Sequence, residues 1–231
     1  MEKMLKCQNL RKKFIKKTAV EDITLELEEG RIYALLGPNG SGKTTFMKMI
    51  AGLVKPSQGE LLYKNQLIGI ESKKEVAYMS TEPYFYNFMT VEDVGKYYQD
   101  FFADFDMETY KRMISEMELD VKDKVGKISS GMMAKVKLAA TLSRKAKLYL
   151  LDEPLNGIDL IAREKIISTI LSVAAEDNTI VLSSHLVEEL ETVVDGVIFI
   201  KDGKNVLNGD AETIREEQGK SIVDIYKEIY A

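Results

Sequence analysis

Lys43, Asp152, Glu153 and His185 are side chains of the types that act on a phosphate ester, and their placement along the chain suits that use. Lys43 stands next to last in the run Gly37-Pro38-Asn39-Gly40-Ser41-Gly42-Lys43-Thr44, which fits G-x-x-x-x-G-K-[ST]. Glycines permit positive φ, so successive backbone N–H groups can turn inward on phosphate oxygens. A helix starting there directs its positive end at the same anion. Lys43 then reaches the β- and γ-phosphates and Thr44 offers a hydroxyl to Mg²⁺, with Thr45 counted beside them as a binding residue. Read blandly, the run is a glycine turn closing an αβ unit; motif and context together favour a nucleotide.

Binding a triphosphate is not hydrolysing it. In-line attack on the γ-phosphate needs a carboxylate on the metal side and a group that orients or deprotonates water. LYLLDEP offers both, with Asp152 for Mg²⁺ (through water) and Glu153 as general base. An apolar run ending in an acid is a weak signal alone and a strong one behind a fitted phosphate loop. His185 is the single histidine of the chain. A lone histidine usually reads as structural, but this one ends a third apolar run, TIVLSSH, as the acids end LYLLDEP.

These groups meet only if strands carry them to one edge. GRIYALLG, LYLLDEP, TIVLSSH and VIFIK are short, nearly continuous apolar runs separated by helical stretches, the pattern of a parallel sheet with crossovers and both faces covered. Open α/β sheets bind ligands at the carboxyl ends of such strands. DITLELE alternates, which places Ile23, Leu25 and Leu27 on one face. ELLYK and VAYM read as further strands, and KPSQG at 55–59 as a turn. After the phosphate loop, Phe46, Ile50 and Leu53 share a helical face. From about Glu82 to Arg144 the pattern is helical, with Val91, Val94, Tyr98, Phe101 and Phe105 at 3–4 spacing. Nine of the nineteen aromatics fall between Tyr84 and Phe105, which marks a small core of its own.

Composition narrows the classes. The 231 residues suffice for one sizeable core, and 32 basic against 37 acidic side chains give a net charge of −5, so no nucleic-acid partner is expected. The single cysteine, Cys7, forms no internal disulfide and reads as a small buried hydrophobe in a reducing, cytoplasmic setting. No signal peptide and no run of the ~18 apolar residues of a membrane span is found. Arg11, Lys12, Lys13, Lys16 and Lys17 read as a solvated hairpin.

GPNGSGKT, ISSGM at 128–132, LYLLDEP, NGID at 156–159 and SSH at 183–185 stand in the order and approximate spacing of one family. The chain resembles, over nearly its whole length, the nucleotide-binding subunit of an ATP-binding cassette (ABC) transporter of bacterial exporter type. The resemblance implies an α/β fold: a P-loop NTPase (RecA-like) core with a mainly parallel sheet, an N-terminal antiparallel β subdomain and an inserted helical subdomain at about 82–144, in one ATPase domain over 1–231. It implies that ISSGM caps a helix aimed at ATP held by another cassette, with Ser129 and Gly131 at the phosphate-facing positions although Ile128, Ser130 and Met132 depart from L-S-G-G-Q. It implies a switch role for His185, whose neutral ring donates to the γ-phosphate. Asp159 is either the loop aspartate that aligns two cassettes or a helix cap, or both. Phe14 is either an adenine-stacking ring or a core residue. Where the family has glutamine after VAYM this chain has Thr81, with Glu82 beside it, so the metal-side contact falls to Thr81 or, after a one-residue shift, to Glu82.

The resemblance further implies MgATP as ligand and a homodimer or heterodimer of cassettes. It also implies a transmembrane permease as partner and a place on the inner face of the membrane through it. TEPYFYNF at 81–88 is either the surface that receives the permease or packing beneath the helices. Export of peptides, drugs or amphipathic compounds is favoured by a loose likeness of SIVDIYKEIYA to a short exporter tail. A GTPase lacks its N-K-x-D element here, and translation or repair cassettes usually carry two cassettes or a long coiled coil. A soluble single-cassette ATPase of iron–sulfur assembly is the alternative.

Overall fold

The computed structural model describes residues 3–174 and 178–231. Among them a single sheet of ten strands runs through the molecule. Its central part is parallel. β9 (Gly196–Lys201), β3 (Ile32–Leu36), β8 (Thr179–Ser184), β7 (Leu148–Asp152) and β6 (Val76–Met79) lie side by side in that order. All five residues of β3 and of β7 are buried, because helices or further strands cover both faces. The other flank is antiparallel: β1 (Lys3–Lys13) pairs with β2 (Thr18–Glu28) and with β4 (Gln58–Tyr63), which pairs with β5 (Gln66–Leu67). β10 (Lys204–Asp210) returns antiparallel to β9 and meets β2 through one parallel rung, Lys204↔Asp22.

Alternation along the parallel strands feeds two cores. Leu35, Leu150, Val181 and Ile198 face one, with Phe46, Met47 and Ile50 of α1 (Lys43–Ile50) and with Ile23, Leu25 and Leu27 of β2. Cys7 is buried in the same cluster, as expected, and burial pushes its thiol pKa up. Leu36, Leu151, Leu182 and Phe199 face the other. There they meet Leu138 of α5 (Ser130–Leu142), Ile166 of α6 (Leu160–Val173), Ile214 of α7 (Ala211–Gln218) and Ile225 of α8 (Ile222–Tyr230).

Between β6 and β7 the chain is largely helical: α3 (Val91–Phe101), α4 (Met107–Glu116) and α5. Thr90 and Asp93 close a reciprocal capping box on α3, and Asp106 caps α4. Arg144 ties this layer to the sheet. Its guanidinium pairs with Asp104 and donates to the carbonyls of Val76 and Lys74.

Two sequence readings are corrected, and one left open is resolved. Leu53 is past the end of α1 and 61% exposed, so it does not share the buried face of Phe46 and Ile50. Phe101 is 68% exposed at the last turn of α3, and Phe105 reaches the core because the chain reverses after Phe102, not by helical periodicity. In the 81–88 segment Phe85 is buried against Tyr98, while Tyr86 and Phe88 are exposed and stacked on each other. A short helix, α2 (Ile70–Glu75), carries no apolar period and was not foreseen.

Candidate nucleotide site

Register brings the chemistry to one edge. Leu36 pairs with Ser184, Asp152 with Ser183, and Met79 with Leu151, so the residues that follow these strands emerge together. They are the phosphate loop after β3, Ser80 and Thr81 after β6, Glu153 after β7 and His185 after β8.

The loop from Gly37 to Gly42 has the backbone its glycines allow, with φ of +154° at Gly37, +82° at Gly40 and +116° at Gly42. A Cβ on Gly42 would come within 2.5 Å of the Ala19 carbonyl, so this position requires glycine for close approach as well as for its φ. Ser41 N–H closes a turn on the Pro38 carbonyl, and Gly203 N–H donates to the Ser41 carbonyl from the β9–β10 turn. Lys43, only 5% exposed, donates to the carbonyls of Gly37 (2.7 Å) and Pro38 (3.3 Å). Its Nζ also lies 3.3 Å from Glu153 Oε1. That contact is an ion pair without hydrogen-bond geometry, since Glu153 Oε1 is buried and has no hydrogen-bond partner among the described residues.

Glu153 is held by its neighbours in an unusual backbone. Its φ is +49°, a left-handed conformation worth about 1–3 kcal/mol of strain for a residue with a Cβ. Ser183 offsets this: its hydroxyl accepts from Glu153 N–H at 2.9 Å and donates to Asp152 Oδ1 at 2.7 Å. The Tyr78 hydroxyl donates to the second Asp152 oxygen at 3.3 Å, and burial, reinforced by the Asp152 charge, pushes its pKa up so that it keeps its proton. Asp152 itself is fully buried. The Glu153 side chain meets His185 Nδ1 at 2.8 Å through Oε2. A neutral imidazole has one N–H. With that proton on Nδ1 it is given to Glu153, so donation to a phosphate requires the ring to leave Glu153 or to take up a second proton. This refines the expectation that the neutral ring is free to donate.

A cavity of ≈ 630 Å³ gathers Phe14, Asn39, Gly40, Gly42, Lys43, Thr44, Thr45, Thr81, Glu153 and His185. Phe14 is 46% exposed on the β1–β2 turn, with Lys12 Nζ 5.0 Å from its ring centre, which removes the core alternative. Gly37, Pro38 and Ser41 shape the loop behind this wall. A second cavity, ≈ 370 Å³, shares Glu153 with the first and is lined by Ser129, Ser130 and Asp152. Ser129 caps α5 by accepting from Met132 N–H, while Gly131 packs on the Gly157 carbonyl, so neither joins the phosphate-loop cavity. Asp159 caps α6. Thr81 and Asn156 border both cavities, and Glu82 is turned away to pair with Lys48 at 2.8 Å. Of the two candidates after VAYM, Thr81 is the one at the cavity.

Four contributors escaped the sequence reading: Asn156, Ser183, Tyr78 and Lys137. Lys137, 5% exposed on α5, donates to the carbonyls of Ser80 (3.0 Å), Thr81 (3.0 Å) and Glu82 (2.8 Å). Burial pushes its pKa down. Three carbonyls converging on one ammonium fix the Thr81 segment to the helix that Ser129 caps. Lys137→Met strands all three, and chemical denaturation is expected to show a loss of about 2–3 kcal/mol. Unchanged stability would mean that water serves these carbonyls equally well.

The donor set suits MgATP. Gly40, Gly42, the buried Lys43 and the first residues of α1 line the cavity, and Glu153 Oε1 is a buried acceptor without a hydrogen bond among the described residues. Among the described residues no group of three or more His, Cys, Asp or Glu side chains is arranged to hold a metal by itself. Mg²⁺ is commonly held by one or two protein oxygens together with substrate phosphates, and Thr44 and Asp152 are of that kind.

The sequence matches the ABC transporter family over residues 20–156. It is 32% identical over 206 residues to the lantibiotic transport ATP-binding protein SrtF of Streptococcus pyogenes, covering 88% of this chain and 90% of that one. It is 31% identical over 214 residues to the linearmycin resistance ATP-binding protein LnrL of Bacillus subtilis (strain 168), covering 89% and 69%. In structure it is similar to an ATP-binding subunit of an ABC transporter, with a TM-score of 0.86 at 25% identity over 99% of this chain and 100% of the other.

Proposed function

Because the chain belongs to the ABC transporter family and is an ATP-hydrolysing subunit of a transporter, we propose that Lys43, Glu153 and His185 form the working centre of one cassette in a dimer. The observation that carries the proposal is their meeting in one place: Lys43 Nζ and His185 Nδ1 lie 3.3 and 2.8 Å from the two oxygens of Glu153. The phosphate loop with Thr44 and Thr45 holds the triphosphate, and Phe14 stacks on adenine. Thr44, Asp152 and Thr81 serve Mg²⁺, which when bound neutralises charge on the phosphates. Glu153 takes the proton of the attacking water. His185 orients that water after leaving Glu153. Ser129 and Gly131 lie outside this cavity, which supports their assignment to ATP held by a second cassette, either a copy of this chain or a relative.

The partner is a transmembrane permease, through which the subunit sits at the inner membrane face. No helix among the described residues is long and apolar enough to cross a membrane itself. The helical subdomain at 82–144 forms a wall of a groove of ≈ 560 Å³ whose lining includes Leu53, Glu82, Tyr84, Tyr97, Phe101 and Phe102. The groove is assigned to a short cytosolic helix of the permease, a reading its exposed aromatic lining supports. Lantibiotic transport and linearmycin resistance are named for two relatives, which supports export of antimicrobial peptides or other amphipathic compounds.

Phe85 is unsuitable for testing the surface because its removal opens a core. Phe101, 68% exposed at the groove, is suitable. Phe101→Asp is expected to abolish copurification with the permease from detergent-solubilised membranes while ATP hydrolysis by the isolated subunit stays within about twofold, as for a surface substitution. Recovery of the wild-type chain with soluble partners only would replace the transport reading by an assembly ATPase.

A further inference from the structure

Helix α8 is fastened at both ends to segments that carry the nucleotide site. At its start Ser221 caps it, and Ile222 N–H donates to Glu191 Oε1 at 2.8 Å. Glu191 belongs to the turn the chain makes after His185, and its carbonyl accepts from Arg215 of α7 at 2.6 Å. At the other end Lys201 Nζ donates to the Ile229 carbonyl at 2.5 Å. Tyr230 lays its ring along Phe199 of β9, with centroids 6.4 Å apart and planes at 25°. Its hydroxyl then lies 2.9 Å from the Ile200 carbonyl and 3.2 Å from the Leu36 carbonyl.

Those two carbonyls stand where a ladder stops. β3 and β9 stay in parallel register as far as Leu36↔Phe199. Beyond that rung β3 leaves the sheet as the phosphate loop, while β9 continues beside β10. One phenol bridges the two strands at their parting. A Cβ on Gly37 would come within 2.4 Å of the Ile200 carbonyl oxygen and 3.2 Å of the Tyr230 hydroxyl, so the first glycine of the loop is pressed against the same knot. Burial pushes the Tyr230 pKa up, which keeps its proton available for donation.

We propose that α8 is a brace for the phosphate loop and that Tyr230 is a positioning residue for ATP, acting through its hydroxyl. It fixes the point from which the loop springs, so that the loop amides are aimed before the triphosphate arrives. Glu191 ties the same helix to the His185 turn, so the brace spans two of the segments that meet at the site. This rests on the loop being the ATP site.

Tyr230→Phe keeps the ring and removes the hydroxyl, and the test uses the full chain. Without added nucleotide, hydrogen exchange at amides 36–42 is expected to quicken about fivefold, the ratio one ordinary hydrogen bond represents. With Mg²⁺ present, the ATP dissociation constant rises by about the same factor, while kcat at saturating ATP stays within about twofold. A ring that merely packs would move none of these. Unchanged exchange at 36–42 overturns the proposal, and so does faster exchange with unchanged ATP affinity. Failure of the wild-type chain to bind ATP would instead sink the assignment of the loop, and the exchange measurement would still judge the brace.

Discussion

Glu153→Gln is expected to bind ATP and to hydrolyse it about 10²–10⁴-fold more slowly than the wild-type chain, the usual contribution of a positioned base. Glutamine has the same shape and still offers an oxygen to His185 Nδ1, so the contact at 2.8 Å survives. It cannot take a proton from water. The substitution also removes the charge that faces Lys43 Nζ at 3.3 Å, leaving the ammonium free for phosphate, so affinity for ATP is expected to hold or tighten. Phosphate release and nucleotide titration read the two effects separately, and size exclusion with MgATP reads whether a closed dimer accumulates. Wild-type hydrolysis by this variant would remove Glu153 from the chemistry and leave it as a structural partner of His185 and Lys43.

Lys43→Met is expected to weaken ATP binding about 100-fold, since charge-assisted contacts to two phosphates disappear together. Methionine keeps the length and apolar stem of the side chain, which is 5% exposed, so the helix it begins retains its packing. The carbonyls of Gly37 and Pro38 lose their donor, and Glu153 loses its cation. A melting curve recorded beside the nucleotide titration separates lost binding from lost fold. Affinity within about threefold of wild type in a folded variant would mean that the loop amides, not the ammonium, hold the phosphates.

The parts of the site that were legible are those whose chemistry is written in local order. β3, β7 and β8 announce themselves as apolar runs because both of their faces are buried, and the groups that follow them are the ones that act. Ser183 and Tyr78 were missed because they lie inside such runs. There a polar side chain looks like a tolerated substitution until the neighbouring strand puts Asp152 beside it. Lys137 and Tyr230 were missed for a related reason: each acts on carbonyls 55 residues away in sequence or more, or across two strands, and no spacing in the chain encodes that. Periodicity also ran too far in places. The apolar period continues through Leu53 and Phe101, but the helices end at or before them, and both side chains turn to solvent.

The two ties on the Thr81 segment differ in how they respond to dissolved ions. Lys137, 5% exposed, meets its three carbonyls in part-buried bonds, whereas the Lys48–Glu82 pair holds the outer side of the segment with Glu82 67% exposed. Counterions screen exposed charges and barely reach buried ones. Rising ionic strength therefore loosens the rim of the groove and leaves its anchorage to α5 intact.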